Sequence, residues 1–167
     1  MAKKKTDESD DSIEEFENEP SSLDELSHAE MIALYRESTD TMRFAKHLQW
    51  WTVGSTLLVF GGLIGIAKLV SADRGYTDLL TWVVILLTMS VIFTLIVYQF
   101  WQHTESLKIT EISKHMSSLF THVRKIKSYR EANIHRYLLL TFMVLTLILG
   151  AIVTRYGLVQ MLAMQRY

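Results

Sequence analysis

The chain has 167 residues, no Cys, one Pro and 49% hydrophobic residues, with a formal net charge of −1. Three stretches, 47–67, 79–104 and 137–154, contain no Asp, Glu, Lys or Arg and run 21, 26 and 18 residues. A helix needs about 20 apolar residues to cross a ~30 Å hydrocarbon layer. The pattern therefore excludes a soluble enzyme. It predicts an all-α membrane protein with three transmembrane helices and helical cytoplasmic extensions.

The near-zero net charge hides an asymmetry. Residues 1–40 hold thirteen acids against four Lys/Arg, a net of −9, and residues 41–167 hold five against thirteen, a net of +8. An acidic arm is thus joined to a basic membrane body, and the two attract each other. The basic residues flank the spans, so they do not argue for nucleic acid. No apolar core follows Lys3-Lys4-Lys5 before Leu48, so the first span is expected to be its own uncleaved insertion signal. Thirteen Lys/Arg lie ahead of the first span or between the second and third, against four on the other side. That bias puts the N-terminus in the cytoplasm and the C-terminus outside. The expected address is a bacterial inner membrane.

In chain order, residues 1–21 form an acidic N-terminal arm with too few apolar residues to bury, expected to be disordered. Ser22-Leu23-Asp24-Glu25 has the Ser-x-x-Glu pattern of a capping box. A cytoplasmic helix over 22–47 is expected to lead into the first span, 48–70, with room for a bend at Ser38-Thr39-Asp40. An outer loop over 71–78 makes the first and second spans a hairpin. The second span occupies 79–101.

No Gly or Pro occurs between Tyr76 and Leu149, so the connection 102–136 is expected to be helical. Its apolar seam, Ile109, Ile112, Met116, Leu119, Val123 and Ile126, is spaced 3, 4, 3, 4, 3. Two geometries fit that seam: one amphipathic helix on the membrane surface, or a hairpin broken near Ser117-Ser118 with the seam inward. The hairpin is favoured because it returns the third span beside the second. Ser128-Tyr129-Arg130-Glu131 is a second cap-like pattern at the start of the third helix. The third span covers 137–154, and 155–167 reads as a short outer interfacial tail.

Small residues mark the expected helix–helix contacts. Gly54, Gly61 and Gly65 lie on the first span, and Gly61-x-x-x-Gly65 is a close-packing motif because backbones can approach where side chains are absent. Thr146, Gly150 and Thr154 form a matching stripe on the third. His47, His103 and His135 each fall at the cytoplasmic edge of a span, among Trp50, Trp51, Tyr98, Trp101 and Tyr137. Such imidazoles are candidate haem or metal ligands. An interfacial aromatic belt accounts for them better, so no cofactor is expected. No ionisable residue falls in mid-span, and no nucleophile elbow, phosphate loop or zincin helix is present.

The order Tyr35-Arg36 to Trp50-Trp51 leading into a span, a tight hairpin and a long cytoplasmic helix resembles small two-span bacterial effector membrane domains of nucleotide-signalled defence. The resemblance is one of architecture, and the third span departs from it. The expected function is non-enzymatic: a structural or accessory subunit, or a scaffold, embedded in a lipid bilayer. It would pack as a homo-oligomer or in a larger membrane complex. Its rivals are an oligomeric pore or signalling effector, and a redox subunit using the histidine layer.

Overall fold

The computed structural model describes residues 18–70, 73–125 and 129–164. The expectations for the arm 1–17, and the positions Ile126, Ser128 and 165–167, lie outside the described residues. Four helices account for nearly all the rest: α1 (Glu25–Leu69), α2 (Arg74–Lys114), α3 (Ser118–Lys125) and α4 (Tyr129–Met164). The fold is an all-α membrane protein with three helices long and apolar enough to cross a bilayer.

Helix α1 has 45 residues and α2 has 41. At 1.5 Å per residue they extend over about 67 and 61 Å, roughly twice the hydrocarbon thickness. Both therefore project well past the membrane. Their closed end is fixed by short-range hydrogen bonds: the Val70 N–H donates to Ile66 O at 3.0 Å, and the Tyr76 N–H donates to Asp73 Oδ1 at 2.8 Å. The two run antiparallel. Their shared seam on α1 is Ser38, Ala45, Gln49, Val53, Thr56, Phe60 and Ala67, all buried and all on one helix face.

Helix α4 packs against both members of this hairpin. Val53, Val91, Leu95, Met143 and Leu147 form the main core, and Ala67, Leu80 and Leu158 a second one near the closed end. Backbone polar groups must be satisfied internally in lipid. The buried threonines follow the same rule by bonding their own helices: Thr56 to Thr52 O at 2.7 Å, Thr88 to Val84 O at 2.7 Å and Thr154 to Gly150 O at 2.7 Å.

The structure corrects two sequence-based boundaries. Helix α1 begins at Glu25, and its N-cap is Asp24, whose carboxylate accepts from Ser27 N at 3.2 Å. Ser22 is not the cap, because it lies ahead of the bend at Leu23, outside the helix. Helix α1 is continuous through Ser38–Asp40. The tail is not a separate interfacial helix either. α4 continues through Arg155 to Met164, held by Leu158, which is buried against Ala67 and Leu80.

The connection breaks at His115–Ser117, and the chain turns back through α3. The seam divides there. Ile109 and Ile112 are buried, Met116 is half-buried, and Leu119 and Val123 on α3 are 47% and 57% exposed.

Candidate functional site: two small-residue faces and a polar ring

The two small-residue stripes occupy different environments. On α4, a Cβ added at Gly150 would meet Leu57 Cδ2 at 2.7 Å and Phe60 Cδ2 at 3.2 Å. Thr154, one turn on, is 2% exposed, and Thr146 is half-buried with its hydroxyl on Phe142 O at 2.9 Å. This stripe is therefore where α1 and α4 approach within the chain. Gly157 continues it, with Ile64 Cδ1 at 3.5 Å.

Helix α1 meets α4 and α2 through Leu57, Phe60 and Ala67, whereas its own glycines centre on a different face. Gly54, Gly61, Gly62 and Gly65 are all exposed, and a Cβ added at any of them meets nothing within 4 Å. Leu58, at the centre of this face, is 79% exposed. The glycine face of α1 thus points away from the rest of the bundle, with Leu58 standing out among the glycines.

The histidine layer does not converge. His47 on α1 and His135 on α4 are exposed, and His103 on α2 is half-buried. Among the described residues, no three His, Cys, Asp or Glu side chains come together as a metal site.

At the same level the structure joins a different set of residues. Gln49 Nε2 reaches Leu95 O at 3.5 Å, and Gln102 Nε2 donates to Gln49 Oε1 at 2.8 Å. Arg136 of α4 then donates from Nη1 to Gln102 O at 3.2 Å and from Nη2 to Ser106 Oγ at 3.3 Å, with a further bond to Asn133 Oδ1. Gln49 and Gln102 are 5% and 4% exposed. At the basic end of the spans the Gln49–Gln102 pair therefore joins α1 to α2, and the guanidinium joins α2 to α4. Its fixed fork of donors suits it to several acceptors at once.

One turn further out, Glu105 is buried and takes hydrogen bonds from Lys108 at 2.8 Å and from Ser38. Glu105 lies beyond the uncharged stretch of α2. Burial pushes its carboxyl up, but the bonds from Lys108 and Ser38 and the ammonium charge together outweigh it and leave it below the ordinary carboxylate value.

Beyond the ring, α3 sits against the start of α1. The rings of Tyr35 and Phe120 meet edge to face at 5.4 Å, and the Arg124 guanidinium lies 5.9 Å from the Tyr35 centroid. Residues 18–21 cross the α2–α3 corner as a strap. The Glu19 N–H donates to Ser118 Oγ at 2.7 Å, the Ser118 N–H to Glu19 O at 3.0 Å, and the Ser21 hydroxyl to His115 O at 2.8 Å.

The polar ring and the strap were not anticipated from the sequence. A signal for the ring exists: Val91, Leu95, Gln99, Gln102, Ser106, Ile109 and Ser113 share one 3–4 spacing, so the amides lie on the face of the core. The strap leaves no such trace, because its bonds involve main chain and residues about 100 positions apart. Comparison with protein-family models, with characterised proteins and with solved structures finds no match to this chain.

Proposed function

We propose that the protein is a non-catalytic accessory subunit or scaffold of a membrane complex, assembling through the glycine face of α1 with copies of itself or with a larger partner. The observation that carries this reading is the open state of Gly54, Gly61, Gly62 and Gly65 beside the closed state of Gly150. Lipid tails are as apolar as leucine, so helices in a bilayer associate where backbones can come close and gain packing. The α4 stripe already does this within the chain. The α1 strip offers the same close approach to a helix from outside.

In this reading the basic end faces the cytoplasm of a bacterial inner membrane, following the Lys/Arg bias. The paired extensions of α1 and α2, capped by α3, stand out there as a docking surface. The polar ring keeps the three spans in register beneath that surface.

The test is paired substitution of Gly61→Ile and Gly65→Ile in a tagged copy, extracted gently from native membranes and weighed by native mass spectrometry. Loss of the larger species supports the glycine face as the contact. A complex of unchanged mass and composition removes that interface from the account.

A further inference from the structure

Among the described residues, His28 Nδ1 is the only buried side-chain nitrogen or oxygen that makes no hydrogen bond. Such an atom loses its water on burial and gains no protein partner in exchange, so it calls for a reason. His28 lies on the wall of a cavity of about 340 Å³ between the start of α1 and the α2–α3 corner. Ile32, Tyr35 and Arg36 continue the α1 wall, and Met116 and Phe120 line the opposite side. The edge-to-face pair of Tyr35 and Phe120 ties the two sides together. A mostly apolar hollow with a few polar groups at its margin is the usual form of a small-molecule site.

The charge of this hollow has one sign. Arg36 makes no ion pair among the described residues, and no carboxylate of those residues lines the cavity. A second guanidinium, that of Arg124, stands 5.9 Å from the Tyr35 ring centroid. An anion is therefore the fitting occupant, and a guanidinium suits a carboxylate. His28 and Arg36 are eight residues apart on α1, two turns and about 12 Å along its axis. That separation suits an elongated molecule better than a single carboxylate bound by both. Arg36 lies eleven residues ahead of the first uncharged stretch, about 16 Å along the helix and beyond the headgroup layer. A bilayer lipid is thereby excluded, and the occupant comes from water.

We infer that this cavity binds a small organic acid with an apolar body, its carboxylate on Arg36 and a hydrogen-bonding group at its far end on His28 Nδ1. Ile32, Met116 and Phe120 hold the body between them. Bound there, the acid joins α1 to the α2–α3 corner. This inference does not depend on the glycine face.

The test is calorimetric titration of the full chain in lipid nanodiscs, with empty discs as background. The probes are para-hydroxyphenylpropionate, phenylpropionate, which lacks the hydroxyl, and the amide of the first acid, which lacks the charge. The expected result is one saturable site per chain for the hydroxy acid. Each of the other two should bind roughly tenfold more weakly, a loss of about 1.4 kcal/mol. This comparison is made on the parent chain and needs no variant to fold. Arg36→Gln should then remove the preference for acid over amide, and His28→Leu the preference for the hydroxyl. Lack of saturable binding at hydroxy-acid concentrations on the order of millimolar would overturn the inference. So would either of the other probes binding as tightly as the hydroxy acid. Hydroxy-acid binding that neither variant weakens would also overturn it, by placing the acid elsewhere on the chain.

Discussion

Gly150 on α4 and Gly61 on α1 look alike in sequence, each in an apolar helix beside other small residues four positions away. The structure separates them. Gly150 has a leucine methyl 2.7 Å from where its Cβ would be, whereas Gly61 has nothing within 4 Å. One glycine is consumed in building the monomer, and the other is left facing outward. The difference teaches that a small-residue motif gives the capacity for close approach, and that tertiary structure decides who uses it.

Substitutions can break this comparison from either side. The largest effect is expected for Gly150→Leu, which forces side-chain atoms into Leu57 and Phe60. Overpacking of this kind costs about 1–3 kcal/mol. The measurement is thermal or denaturant unfolding of the detergent-solubilised protein. Gly61→Ala is expected to act in the opposite sense, raising monomer stability by up to about 1 kcal/mol through helix propensity. Equal losses at both positions would show that the two faces are equivalent after all.

A middle-sized effect is expected at the polar ring. Arg136→Leu leaves Gln102 O, Ser106 Oγ and Asn133 Oδ1 without their shared donor, at about 1–2 kcal/mol. Because the guanidinium bridges α4 to the α1–α2 hairpin, the loss should appear as faster hydrogen exchange in residues 129–136. The closed end near Leu80 and Leu158 should stay protected. Uniform acceleration along all three helices would mean that Arg136 sets the whole bundle and not its basic end.

Much of this fold was legible in the sequence, for simple physical reasons. Uncharged stretches of about 20 residues can only be spans, and the lack of Gly or Pro between Tyr76 and Leu149 left helix as the only regular choice. The start of α1 was misplaced because Ser22 and Asp24 both look like caps, and in the structure it is Asp24 that accepts from the Ser27 N–H. The tail was misread because Leu158 and Met161 also fit the apolar face of a short interfacial helix, whereas Leu158 is buried against Ala67 and Leu80. The histidines drew attention for their chemistry, yet the residues that do meet are amides and an arginine. Whether the glycine face of α1 points inward or outward could not be read at all. It depends on where α2 and α4 lie, and glycine spacing is silent on that.

The smallest effect concerns pH. The Glu105 carboxyl lies below its ordinary value of 4.5 in the folded chain. Its contribution to stability is therefore present above that value and is lost as pH falls through the folded pKa. Glu105→Gln should flatten the acid side of the stability profile slightly while leaving neutral pH nearly unchanged. A profile with the same acid slope as the parent would show that the Glu105 carboxylate does not stabilise the fold.

The most direct test of the central claim is native mass spectrometry of complexes carrying Gly61→Ile with Gly65→Ile, beside a protein carrying the same change at Gly150. The account predicts a folded monomer that no longer assembles in the first case, and a destabilised chain in the second. A first variant that retains its full complex would contradict the account, because the open glycine face would then have no partner.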